Sequence, residues 1–160
     1  MVKALVVYDS VFGNTEQVAH AIGDALGSPK ETETLRVTDA EPEALTKVDV
    51  LVVGSPTRGF RATPATKNLL KRIPAGGLRG VRVAAFDTRF AVEEMDSALL
   101  KFLVGLFGYA AKPIADRLRR KGGELAVPPE GFIVEGTEGP LREGELERAA
   151  EWARQILEAE

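Results

Sequence analysis

Apolar runs of strand length alternate along this chain with segments whose apolar residues recur at helical spacing, the pattern of a parallel sheet covered by helices. Lys3 to Tyr8 reads as the first strand, because the continuous run Ala4-Leu5-Val6-Val7-Tyr8 suits burial on both faces. Helix one follows from Asn14 to Leu26, with Val18, Ile22 and Leu26 on one face and Gly27 and Pro29 ending it. A second strand near Glu33 to Val37 alternates polar and apolar, as a sheet edge does. The third strand is Asp49 to Gly54, the next helix Pro64 to Ile73, and the fourth strand Val81 to Phe86.

Asp96 to Gly122 divides into two helices, since Gly105 and Gly108 precede Pro113 and proline is tolerated only in a first turn. Ile114 and Leu118 then face inward. Glu124 to Val127 and Phe132 to Glu135 make a last strand interrupted by Pro128-Pro129-Glu130-Gly131. The final helix carries Ala149, Trp152, Ala153 and Ile156 at i, i+3, i+4, i+7, behind an acidic first turn of Glu143, Glu145 and Glu147.

The turn Ser10-Val11-Phe12-Gly13-Asn14-Thr15 changes this picture from scaffold to site. It joins a buried strand directly to a helix start, where unpaired first-turn N–H groups and the macrodipole favour a phosphate. No Lys or Arg lies in the loop, so the grip would come from uncharged donors. A Walker loop is excluded, because it needs Gly-Lys-Ser or Gly-Lys-Thr at this point.

Composition narrows the rest. A chain of 160 residues predicts one domain spanning 1–160, with no second domain required. Its 24 acids and 21 bases leave a net charge of -3, which offers no electrostatic case for nucleic acid or an anionic membrane. Zero cysteines exclude disulfides and thiol chemistry and fit a cytoplasmic location. Ala98 to Ala111 is apolar but too short for a bilayer, so no membrane insertion is expected and a buried or partner-facing helix is. His20 falls on the solvent side of helix one, and Arg117, Arg119, Arg120 and Lys121 read as a solvated helix end. No His, Cys or carboxylate constellation requires a nucleophile, general base or metal, so no catalytic or metal-binding residue is assigned.

The stretch from Val6 to Ala19 is similar, nearly position for position, to the flavodoxin signature. Gly54-Ser55-Pro56-Thr57-Arg58-Gly59 resembles the second flavin loop of that family, and Phe86-Asp87-Thr88-Arg89-Phe90 stands where its third loop belongs. The resemblance implies a flavodoxin-like three-layer α/β sandwich, a five-stranded parallel sheet of order 2-1-3-4-5 with helices on both faces. In such a sheet, ligands bind where the strand order reverses, between strands one and three. It further implies FMN as the cofactor. The phosphate would be held by Ser10, Phe12, Gly13, Asn14 and Thr15, and the ring bounded by Ser55, Pro56, Thr57, Arg58 and Gly59 on one side and Thr88, Arg89 and Phe90 on the other. Phe60 and Phe90 are the candidate aromatic contacts, since the loop Trp and Tyr that many flavodoxins use are missing here.

Three functions follow as expectations. The first is noncovalent FMN binding and electron shuttling between redox protein partners. A second is an FMN-dependent NAD(P)H:quinone or nitro-compound reductase with a small quinone-like acceptor, as a monomer or homodimer. A third is a binding or regulatory module that keeps the fold without flavin. Asp9 and Asp87 raise a receiver domain, which fails because the third strand ends in Gly54-Ser55-Pro56 and offers no phosphoacceptor carboxylate. Arg58, Arg61 and Arg89 are expected to stabilise reduced flavin by charge and raise its potential.

Overall fold

The computed structural model describes residues 3–58, 60–91 and 97–159. Among these residues, six strands form one parallel sheet of order β2-β1-β3-β4-β5, with β6 also paired to β4. Its strands are β1 (Ala4–Tyr8), β2 (Thr32–Arg36), β3 (Val50–Pro56), β4 (Arg82–Arg89), β5 (Glu124–Leu125) and β6 (Glu130–Ile133). β5 and β6 lie along the same edge of β4, one after the other, so they are the two halves of the interrupted last strand. Pro128 and Pro129, which cannot donate to a ladder, occupy the gap.

Alternation along β1, β3 and β4 splits the core into two layers. Leu5, Val7, Leu51, Val53, Val83 and Ala85 meet α3 (Pro64–Arg72) and α5 (Ala111–Arg120) through Leu69, Leu70, Ile114 and Leu118. Val6, Val50, Val52, Ala84 and Phe86 meet α1 (Asn14–Leu26) and α6 (Glu145–Glu158) through Val18, Ile22, Trp152 and Ile156. Phe86, Phe132 and Trp152 stack edge to face with centroids 6.1 Å apart. Full burial of such side chains contributes about 1.5–3 kcal/mol each, so this second layer anchors β4, β6 and α6 as one unit.

The structure departs from the sequence expectation in three places. A 3-10 turn (Val37–Asp39) and a short helix α2 (Pro42–Leu45) fill the β2–β3 connection, each too short to show a hydrophobic period. β4 runs on to Arg89, because Ser55, Pro56, Asp87 and Thr88 continue the ladder. The apolar 98–111 segment divides at Gly108, φ 75°, into α4 (Ala98–Phe107) and the start of α5, the two helices expected. α4 is not a buried helix: Leu99 and Phe102 are each 65% exposed, and among its described side chains Val104 enters the interior.

Two charged ends are also more structured than solvated. Lys121 Nζ donates to the carbonyls of Ile73 and Lys71, which closes the end of α3. Glu145 is buried at the first turn of α6, accepts from Ile133 N at 2.6 Å and pairs with Arg148. Burial alone would raise its carboxyl, but the Arg148 contact and the Ile133 N–H outweigh it and hold Glu145 below its usual value. A lowered folded value adds stability that is complete above the unfolded value and drains away as pH falls through the folded one. Glu145→Gln therefore flattens the acid limb of the stability curve below pH 4.5, in urea titrations run at a series of pH values, and lowers stability at pH 7.

Candidate functional site

At the carboxyl ends of β1, β3 and β4, the end where open α/β sheets bind ligands, lies a cleft of about 260 Å³. One end is polar and is built by the loop entering α1. Gly13 takes φ 92° as the residue capping α1, a left-handed turn that glycine adopts without strain. Ser10 Oγ accepts from Gly13 N at 3.0 Å and from Glu16 N at 3.4 Å, folding the loop back on the helix start. In an α-helix the N–H groups of the first turn have no intrahelical acceptor, which leaves Asn14 N and Thr15 N for an anion.

This loop is braced from several sides. Arg36 donates to the Ser10 carbonyl at 2.9 Å, pairs with Asp9 and lies over the Tyr8 ring, so the nearest cation is engaged behind the loop. Thr15 Oγ1 and Thr88 Oγ1 share a hydrogen bond of 2.8 Å that ties the first loop to the third. Asn14 Nδ2 donates to the Glu138 carbonyl at 3.1 Å. A Cβ on Gly139 would stand 2.6 Å from Asn14 Oδ1, so only glycine lets that segment approach.

The second loop is a hairpin in which Arg58 and Arg61 exchange both backbone hydrogen bonds. Phe60 sits at its tip with φ 69°, a left-handed conformation that costs a bulky residue strain and places an aromatic at the cleft. Thr57 fastens this loop, donating its N–H to Thr88 O and accepting from Ala110 N.

The third loop holds a buried ion pair. Asp87 is fully buried, and Arg89 meets it with two bonds, Nε to Oδ1 at 2.6 Å and Nη2 to Oδ2 at 2.7 Å. Ala111 N adds a third, at 2.9 Å. Burial pushes the Asp87 carboxyl up, against the pull of Arg89 and the Ala111 N–H. The guanidinium also stacks on Tyr109 with its carbon 3.7 Å from the ring centroid. Gly131 makes room for it, since a Cβ there would come within 2.0 Å of Arg89 Nε.

Of the residues expected from the sequence, Ser10, Phe12, Asn14, Thr15, Pro56, Thr57, Arg58, Phe60, Thr88, Arg89 and Phe90 line the cleft together. Gly13 shapes the loop from beneath. Ser55 does not line the cleft: it is buried and accepts from Thr63 N. Gly59 lies outside the described residues. Arg89, expected to stabilise reduced flavin by its charge, is paired with the buried Asp87, which offsets that charge. Arg58 remains exposed at the cleft, 5.7 Å from the Phe12 ring centroid, and Arg61 lines a neighbouring groove instead.

Sequence reasoning missed Val11, Leu100, Val104, Tyr109, Val134 and Thr137, which complete the walls. Tyr109 carried no local signal, arriving only through the break at Gly108. The Asp87–Arg89 pair did carry one, since residues two apart on a strand share a face.

A doubly wound sheet with a cationless helix start opening into an aromatic-walled cleft defines a mononucleotide-binding α/β protein. The profile of the family described as "Flavodoxin" matches residues 6–152, and the chain belongs to that family. It is 30% identical over 90 residues to "Probable flavodoxin 1" of Bacillus subtilis (strain 168), a match covering 55% of this chain and 57% of that protein. The oxidised Flavodoxin 2 of Bacillus cereus has the same fold, with a TM-score of 0.75, 22% identity and 98% of each chain covered. Rubredoxin oxygen:oxidoreductase from Desulfovibrio gigas matches at a TM-score of 0.71 and 19% identity, over 98% of this chain and 35% of its own.

Proposed function

We propose that this chain binds FMN noncovalently in the cleft, as a single domain, and carries electrons between redox protein partners. The observation that carries the reading is the cleft's division into an uncharged, donor-rich end at α1 and an apolar, aromatic end. That division fits a phosphate at one end and a flavin ring at the other. When bound, FMN supplies one- and two-electron redox chemistry, so no side chain has to act as nucleophile or general base.

Each residue then has a modest physical task. Asn14 N, Thr15 N and the Ser10 and Thr15 hydroxyl groups receive the phosphate, and the Arg36 brace keeps that loop closed without lending it a free charge. Thr57 and Thr88 hold the second and third loops in register. Phe12, Phe60, Phe90 and Tyr109 exclude water from the ring, although Phe12 and Phe90 remain more than 40% exposed and leave an edge open to a partner. No helix among the described residues is long and apolar enough to cross a membrane.

Arg58 sets the field at the open edge. Arg58→Ala is expected to lower the midpoint potential by roughly tens of millivolts, because an exposed cation is screened but still favours added negative charge. A spectroelectrochemical titration of the two proteins checks it, and an unchanged potential excludes the role.

The function as a whole is tested by loading the purified protein with FMN, reducing it stepwise and assaying NAD(P)H oxidation with a quinone. A carrier takes up one FMN per chain, accepts electrons from a chemical reductant and oxidises no NAD(P)H unless a reductase is added. Steady NAD(P)H:quinone turnover by the chain alone would make it an enzyme instead.

A further inference from the structure

A second concavity of about 400 Å³ adjoins the cleft, and Phe60 lines both. Its floor is apolar, formed by Leu70, Pro113 and Ile114. Its rim carries Arg61 from the second loop, Lys67 from α3, and Arg117 and Arg120 from α5, with no carboxylate in the lining. Among the described residues no salt bridge joins any of these four cations to an acid. Arg36, Arg142, Arg148 and Arg154 are each paired with a carboxylate, so cations on this surface take an acid partner where one is in reach.

Four cations gathered from three elements repel one another, and the chain as a whole is negative at -3. The concentration is therefore local and runs against the overall charge. Exposed Lys71 stands one turn beyond Lys67 on α3, and Arg119 shares an adjoining concavity with Arg120 and Asp116, so the cations reach beyond what one phosphate group requires. That breadth fits the face of a protein.

We propose that this groove docks the acidic surface of the redox partner protein, beside the edge where electrons enter or leave. The proposal rests on the electron-carrier reading and adds to it the charge of the partner and the side from which it approaches.

Ionic strength separates the alternatives, because two net-negative proteins that collide at random react faster as salt rises. The probe is a reduced, acidic plant-type [2Fe–2S] ferredoxin. One electron leaves its cluster and enters the FMN-loaded chain, followed by stopped-flow absorbance over a salt series. Docking in the groove makes the rate of the wild-type chain fall about tenfold from low to high salt, against the sign its net charge dictates. Arg117→Glu/Arg120→Glu loses about tenfold at low salt and reverses the slope. Lys67→Glu shifts both in the same direction by less, which guards against a folding defect in the double variant. Lys30→Glu/Arg154→Glu carries the same charge change away from the groove and keeps the wild-type slope.

A wild-type rate that rises with salt overturns the proposal, as does inhibition by micromolar inorganic pyrophosphate, which would assign the groove to a small anion. FMN loading is confirmed by absorbance in every sample beforehand. A chain that fails to load refutes the flavin reading, whereas a loaded chain with the wrong salt slope refutes only the groove.

Discussion

Arg89→Ala is expected to lower the unfolding free energy at pH 7 by about 3–5 kcal/mol, the usual cost of stranding one member of a buried ion pair. Asp87 is fully buried, and Arg89 supplies two of the three hydrogen bonds seen on its carboxylate. Without the guanidinium, the carboxyl must either stay charged in an apolar surrounding or take up a proton. The pH dependence identifies the cause. A carboxyl raised by burial binds its proton more tightly folded than unfolded, so it favours folding at low pH and ceases to as pH rises from the ordinary value of 3.8 through the folded one. The variant's deficit is thus small in acid and full at neutral pH. Asp87→Asn/Arg89→Leu recovers most of the loss in urea unfolding, and a double variant as unstable as Arg89→Ala would show that the cost lies in packing against Tyr109.

Gly54→Ala is the second large effect. Gly54 is paired with Phe86 across β3 and β4, and a Cβ on it would stand 2.0 Å from Phe86 Cζ. That ring is wedged between Phe132 and Trp152, so it has no room to retreat. Overpacking of this kind costs about 1–3 kcal/mol or more, and here it also tilts the strand ends that carry the second and third loops. Gly54→Ala is expected to lose both stability and FMN affinity, and adding Phe86→Leu restores part of each. A melting temperature unchanged from wild type would show that the ring moves freely.

Much of this architecture was legible because burial and chemistry were both written locally. β1, β3 and β4 are buried along almost their whole length, so β1 and the first halves of β3 and β4 appear as apolar runs. The loop entering α1 is contiguous in sequence, so a turn at a helix start without Lys or Arg can be read from it directly. The far wall was hidden for the opposite reason. Tyr109, Val134 and Thr137 reach the cleft from separate connections, and nothing in their immediate neighbours marks them. Arg89 is visible in the sequence as a charge, whereas its pairing with Asp87 shows only once β4 is seen to run past Phe86. α4 was apolar enough to suggest burial, yet among its described side chains Val104 turns inward while Leu99, Leu100 and Phe102 face solvent.

Calorimetric titration of the apoprotein with FMN and with riboflavin, which differ only in the phosphate, bears most directly on the grip of uncharged groups at α1. FMN should bind roughly 100-fold more tightly or better, a difference of about 2.7 kcal/mol. The gap should shrink in Ser10→Ala/Thr15→Val and change little with added salt, because no cation in the loop is being screened. Equal affinities for the two flavins, or no heat with either, would contradict it.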